Sequence, residues 1–392
     1  MKRARHSLFA VTTAMVCFGA ALQPASAQIV GDELLAALNN QLSLQGVSIT
    51  GGEVSTSGSS VTITNATMSM AGDDEPFTIS EIRMDGVQPD GAGGYNVATA
   101  TIPPFAVDDS GTVASFGGIQ VTDYTIAGTQ ETDIVLRGGV FKTMTMGPIA
   151  VSEDGRQAFS IAGVAVEVDD YQPGQPWASS VAVSDFALDT TVLDDPNASR
   201  TMAALGYETL TGDVTANGSW FPETGQMLME DFIISVDDAA SIGLDLNLGG
   251  YTVELVEAMQ QINAATQDEQ AAGMAMLGLM QQIEIGGAAI TLTDASLTNK
   301  LLEFFGQQQG TNADGMRAFA KGMLPLGLAQ LQSPEFAAKA TAAIGAFLDN
   351  PGTLVIEAQP ATPVPVLQLA APVMSGNPAQ LIDALSLDIT AQ

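Results

Sequence analysis

An eight-residue phrase recurs along this chain and restricts what the chain can build. Its clearest copy is Val181-Ala182-Val183-Ser184-Asp185-Phe186-Ala187-Leu188. Apolar residues occupy positions 1, 3, 6 and 8, with a small residue at 4 and an acidic or turn-forming one at 5. Close relatives are FTISEIRM (77–84), IQVTDYTI (119–126), FSIAGVAV (159–166) and ITLTDASL (290–297). Looser copies are VSITGGEV (47–54), VTITNATM (61–68), MTMGPIAV (144–151) and MLMEDFII (227–234). A β-strand alternates its faces residue by residue, so positions 1 and 3 share one face while 6 and 8 fall on the other. Two arrangements reconcile this with four apolar positions. A bulge at positions 4–5 resets the pleat so that all four meet one core. Otherwise the strand is buried on opposite faces at its two ends, as where a sheet edge curls into a second layer. In the copy at 290–297 the second half reads as the first turn of a helix, so positions 4–5 also mark strand ends.

The first residues read as an export leader. Lys2, Arg3 and Arg5 precede an apolar run from Leu8 to Leu22, and Ala25-Ser26-Ala27 supplies a small-residue cleavage site before Gln28. Residues 1–27 are therefore expected to be a signal peptide cleaved after Ala27, and the mature chain to be periplasmic. No later stretch has the 18 uninterrupted apolar residues of a spanning helix, so no stable membrane anchor is expected. Removing the leader removes the single Cys, Cys17, and the single His, His6. The mature chain then has no thiol nucleophile, no imidazole base and no Cys/His metal site, which excludes Ser-His-Asp triads, Cys-His dyads and zinc sites of the usual kind. Three of the twelve cations go as well, leaving nine Lys and Arg against 44 Asp and Glu, a net charge of −35. Such a surface repels nucleic acid. With charged residues only 14% of the chain, solubility accounts for the acidity.

Past the leader, Gly31–Leu44 reads as an amphipathic helix on the spacing of Leu34, Leu35, Leu38 and Leu42. From Val47 to about Thr191 the pattern is β, with about nine strands separated by turn clusters. No long helical pattern interrupts them, so antiparallel pairing is expected. A short helix follows Asp194-Asp195-Pro196, and residues 213–248 form a three-stranded meander. Composition then shifts to Ala, Gln, Met and Leu, predicting five helices over about 251–349 with the strand Ile285–Thr293 among them. Pro325 is expected to kink or end the fourth helix. Leu354–Ala358 and Val364–Leu369 read as strands, Pro378–Leu385 as a helix and Leu387–Thr390 as a closing strand. The expected fold is α+β: a predominantly antiparallel, elongated and curved sheet with a helical layer from about residue 251 to 349. The expected divisions are a β-rich region, 28–195, and a meander-plus-helix region, 196–392, sharing one continuous sheet.

The stretches LGYETLTGDVTANGSW, DFIISVDDAASIGLDLNL, TDASLTNKLLEFF and FLDNPGTLVIEAQPATPVP resemble a group of uncharacterised alphaproteobacterial periplasmic proteins, over roughly residues 190–392. More remotely, the recurring phrase is similar to strands of AsmA-like envelope proteins. That likeness implies an elongated, curved sheet with an apolar concave face that holds lipid. It supplies no site residues to carry over, and this chain lacks the membrane anchor typical of AsmA-like proteins.

Candidate chemistry is sparse. The acidic pairs Asp73-Asp74, Asp108-Asp109, Asp169-Asp170, Asp194-Asp195 and Asp237-Asp238 fall at strand ends without the spacing of a calcium loop, so they read as turns. Asn65, Asn197 and Asn217 head N-x-S/T triplets without further context. Met274, Met276 and Met280 with Leu277 and Leu279 form a stripe that suits either a core or an adaptable apolar surface. Lys300, Arg317, Lys321 and Lys339 could clamp an anionic headgroup or simply solvate helices. The sequence thus assigns no catalytic, cofactor-binding or metal-ligating residue, and no cofactor. The expected function is an exported, non-enzymatic envelope protein binding lipid or another apolar ligand in a groove between sheet and helices, with an envelope protein as a further partner. The alternatives are an interaction scaffold with a solid core and a carboxylate-only hydrolase.

Overall fold

The computed structural model describes residues 30–70, 76–109, 111–193, 195–265 and 269–392. The expected leader, the pair Asp73-Asp74 and Asp194 lie outside these residues. The chain divides into two compact units, one ending at Leu188 and the other running from Asp189 to Gln392. Every strand pairing given below is antiparallel, as the absence of crossover helices in the sequence predicts.

The first unit opens with helix α1 (Gly31–Ser43). Strands β1 (Val47–Thr50), β2 (Glu53–Ser57), β3 (Ser60–Met70), β4 (Phe77–Asp85), β5 (Gln88–Pro89), β6 (Tyr95–Ile102), β7 (Phe105–Asp109), β8 (Thr112–Phe116) and β9 (Ile119–Ile126) follow. A short helix α2 (Ile134–Gly138), which the sequence did not predict, is capped by the Asp133 carboxylate at the amides of Val135 and Leu136. Strands β10 (Thr143–Met146), β11 (Ile149–Glu153), β12 (Arg156–Ile161), β13 (Gly163–Val168) and β14 (Trp177–Asp189) complete the unit. Fourteen strands stand where about nine were expected, because most of the long strands break in two.

Those breaks line up. Asn65 lies between the pairs Thr64↔Glu81 and Ala66↔Ile79. Pro103-Pro104 and Gly117-Gly118 lie between Ile102↔Ile119 and Phe105↔Phe116. Gly147-Pro148 lies between Met146↔Ile119 and Ile149↔Phe116, and Ala162 between Met146↔Val164 and Ile149↔Ile161. Asp185 follows the pair Gly163↔Ser184. A crease therefore crosses the sheet from Gly51-Gly52 to Asp185, with a second, shorter one through Ala98 and Asp123. Backbones close up along it: a Cβ on Gly147 would stand 2.6 Å from the Gly117 carbonyl oxygen, and the Gly147 amide donates to the Gly118 carbonyl at 2.9 Å.

Position 5 of the recurring phrase falls on one or other crease in several copies. Asn65, Asp123 and Asp185 have φ of 54°, 50° and 49°, and Gly51 has 66°. Left-handed backbone costs most L-residues about 1–2 kcal/mol, least for Gly, Asn and Asp, which is why those types hold the position. On either side the apolar residues meet one core: Val61, Ile63 and Ala66 are fully buried on β3, as are Ile79 and Met84 on β4. The pleat-reset arrangement holds across this unit. Helix α1 lies on the same side, burying Leu34, Ala37, Leu38 and Gln41.

In the second unit, helix α3 (Pro196–Ala204) leads into β15 (Thr209–Phe221), β16 (Gln226–Val236) and β17 (Ala240–Gly249), the expected meander. Helices α4 (Val253–Ala265) and α5 (Glu269–Leu279) precede β18 (Glu284–Asp294). Next come α6 (Leu297–Gln308), α7 (Ala313–Leu328), α8 (Pro334–Asp349), β19 (Thr353–Ala358), β20 (Val364–Pro365), α9 (Val366–Ser375), α10 (Pro378–Leu385) and β21 (Leu387–Ala391). The pairing order is β15-β16-β17-β18-β19-β21, with β20 against the start of β18. The phrase at 227–234 contains a true bulge: Glu230 and Asp231 together face Asp245, and Asp231 has φ 50°.

Pro325 lies in the last turn of α7, which runs to Leu328, because a proline one turn from the end removes a single backbone bond. One expectation fails here. The stretch 364–369 is strand only at Val364 and Pro365. From Val366 the good helix formers Leu367, Gln368, Leu369, Ala370 and Ala371 take over as α9, so the helical content extends beyond residue 349.

Candidate functional site

The second unit's sheet has one apolar face. Cross-strand pairing aligns Val214, Ile234, Ile242, Leu292 and Leu354 in one row and Phe232, Leu244, Ile290, Ile356 and Ile389 in the next. Over β19 and β21 helix α8 covers this face: Ala340, Ala343 and Ile389 are buried, with Phe336, Ile344, Leu354 and Ile356 packed around them. Over the middle strands the cover stops. Ile234, Ile242 and Ile290 remain 37%, 53% and 49% exposed.

Neighbouring helices add apolar surface. On α5 and the turn after it Met274, Leu277 and Met280 are exposed, so this Met stripe is surface rather than core. On α7, Phe319, Met323 and Leu326 recur at i, i+4 and i+7, all exposed. Exposed apolar residues are ordinary singly; contiguous ones mark interaction sites.

The cations of this region are already engaged. Lys300 Nζ sits 4.0 Å above the Tyr207 ring. Arg317 pairs with Asp314 and donates to the Leu348 carbonyl at 2.7 Å and to Asn299 at 3.1 Å. Lys321 pairs with Asp349, and Lys339 with Asp388 at 3.1 Å. They brace helices and strands rather than forming an anion clamp.

The acidic pairs do the work of turns. Asp108 accepts from the Gly111 amide, Asp170 from Lys142, and Asp237 from the Thr211 hydroxyl. Asp238 is a left-handed turn residue. Among the described residues no cluster of three acidic side chains is placed to hold a metal ion. Three carboxyls lie below their usual range: Asp85 through hydrogen bonds from Arg83 and Ser60, Asp388 through Lys339, and Glu254 through its own backbone amide and Thr252. That is the direction of hydrogen-bonded surface carboxylates, opposite to that of a general acid. Of the N-x-S/T asparagines, Asn65 sits on the crease, Asn197 opens α3 and Asn217 lies within β15.

The first unit contains a cavity of about 120 Å³ between α1 and the sheet. Leu38, Ile49, Ile82, Met84, Ile119 and Met144 form its buried floor. Leu42, Met68, Met70, Ala100, Ile102 and Val121, all half-buried, form its rim. Its one polar neighbour is Tyr124, whose hydroxyl is bonded by Gln41 Nε2 at 3.0 Å. Gln41 is 1% exposed, and its Oε1 accepts from the Ala127 amide at 2.8 Å. Burial pushes the Tyr124 phenol far up, so it stays neutral. Sequence reasoning missed this cavity; its trace is the methionines closing the phrases at Met68 and Met84 and opening the one at Met144.

A family model described as "Uncharacterized protein" matches residues 233–392. No curated protein matches the chain. The matched segment begins in β16 and carries Ile234, Ile242, Ile290 and the exposed apolar residues of α5 and α7. No helix among the described residues is long and apolar enough to cross a membrane.

Proposed function

We propose that this is an exported, non-enzymatic envelope protein that holds an apolar ligand, the acyl chains of a lipid, against the uncovered sheet face of its second unit. The observation that carries the proposal is the exposure of Ile234, Ile242 and Ile290 on a face that α8 covers elsewhere. Burying such a side chain against hydrocarbon is worth about 1.5–3 kcal/mol, so three together provide a real binding increment. The leader-like residues 1–27 support export, and an elongated curved sheet belongs to the same proposal.

Protein purified without detergent should yield lipid in an organic extract analysed by mass spectrometry, and should take up a fluorescent fatty-acid probe. Ile242→Asp, at an exposed position, should abolish photolabelling of residues 234–242 by a diazirine-bearing fatty acid while leaving the unfolding temperature within a few degrees of wild type. Absence of both co-purifying lipid and probe uptake would overturn the proposal. A second reading, an interaction protein, is favoured by the exposed stripe Phe319, Met323 and Leu326 on α7. It predicts that Phe319→Asp removes an envelope protein partner without touching probe uptake.

A further inference from the structure

We infer that the cavity beneath α1 is a separate binding site for the end of an unbranched hydrocarbon chain. The site belongs wholly to the first unit and does not depend on the sheet face of the second.

Three observations carry it. The first is size. At about 120 Å³, the cavity approaches the roughly 150 Å³ of an engineered apolar cavity that stays dry and binds a single benzene ring. It therefore admits a chain end and leaves the remainder of a longer molecule outside.

The second is chemistry. Floor and rim offer no free polar group, since the only hydroxyl, on Tyr124, is neutral and already bonded by Gln41. A headgroup would find no partner inside, so recognition is of the chain. The third is adaptability combined with access. Met68, Met70, Met84 and Met144 contribute four flexible thioethers to the lining, and such side chains repack around ligands of varied shape. The half-buried Leu42, Met68, Met70, Ala100, Ile102 and Val121 of its lining give the cavity a mouth.

The test uses the whole chain and a series of straight-chain carboxylic acids from hexanoic to hexadecanoic. Affinity should tighten about fourfold per added methylene until the cavity is full, then level off. Replacing the carboxylate by a maltoside at equal chain length should leave it within about twofold, because the headgroup stays outside. Measured in an Ile242→Asp background, which removes the ligand site of the second unit, Ala100→Phe and Val121→Phe, at the mouth, should each weaken binding at least tenfold. Where a mouth variant does not fold, a fatty acid bearing a diazirine at its methyl end locates the site in the wild-type chain. Labelling should fall on peptides containing Met68–Met70 or Ala100–Ile102. Chain-length independence, unchanged affinity in a folded Ala100→Phe variant, or labelling at residues 234–242 instead would overturn the inference. The last outcome would leave the ligand site of the second unit standing.

Discussion

The two units solve the same problem differently. Both are antiparallel sheets carrying apolar residues on one face, and both contain copies of one phrase. The first unit closes: among the described residues, 24 buried side chains form one cluster beneath its sheet and α1. The second has two buried clusters of three residues each, around Tyr207 and around Ile389. Large exposed apolar side chains are divided the other way. Among the described residues Val30 and Leu44 are the two in the first unit, against eleven in the second. The amount of apolar sequence therefore does not decide burial; cover does. In the first unit α1 lies over β1, β2 and β9, while in the second α8 lies over β19 and β21. The proposed function makes this uncovered face of the second unit its working surface.

Substitutions put this contrast at risk. The largest effect should come from Phe141→Ala in the first unit, where a fully buried ring is replaced by a void, at a cost of about 3–5 kcal/mol in denaturant unfolding. Phe319→Ala in the second unit, at a ring 54% exposed, should cost no more than about 0.5 kcal/mol. Equal costs would mean that the two units pack alike and that the contrast is false. Next is the crease. Gly147→Ala pushes a methyl toward the Gly117 carbonyl and should cost about 1–3 kcal/mol, the range of overpacked sites.

Asp123→Val should cost about 1–2 kcal/mol by placing a branched residue in left-handed backbone, and Asp123→Gly should be close to neutral. If both prove neutral, the crease is not what selects position 5. The smallest effect is electrostatic. Lys339 holds the Asp388 carboxyl below its usual range, with help from the Ile389 amide. A carboxyl lowered in the folded state contributes stability above its unfolded pKa and loses it as pH falls through the folded value. The pair is about half exposed, so Lys339→Met should remove less than about 1 kcal/mol at neutral pH. Below the usual carboxylate range it should remove nothing.

Much of the architecture was legible in residue order. Alternation marked the meander of β15 to β17, and the acidic or glycine residue at position 5 left a reset pleat as one of the arrangements open. Leucines at helical spacing marked α1, although its buried face also includes Gln41, whose amide is satisfied by Tyr124, Thr125 and Ala127, far away in sequence. What stayed hidden was long-range. No periodicity tells that Asn65, Pro103, Gly117, Gly147 and Asp185 fall on one line, because that alignment is a property of register between strands. Nor does a Met stripe tell whether another layer lies above it. The candidate surface and the cavity were illegible for the same reason: both are defined by what fails to cover an apolar residue, and cover comes from elsewhere in the chain.

The crease has a consequence for how this chain survives before and after folding. Strands rich in Val, Thr and Ile, in a chain with 46% apolar residues, are the raw material of cross-β fibrils, which need flat segments that stack in register. A left-handed Asp or Asn, or a Gly-Pro step, in the middle of such a strand interrupts its flat run, and the acidic ones add repulsion between stacked copies. The residues that bend the sheet thus also act as gatekeepers against its own aggregation.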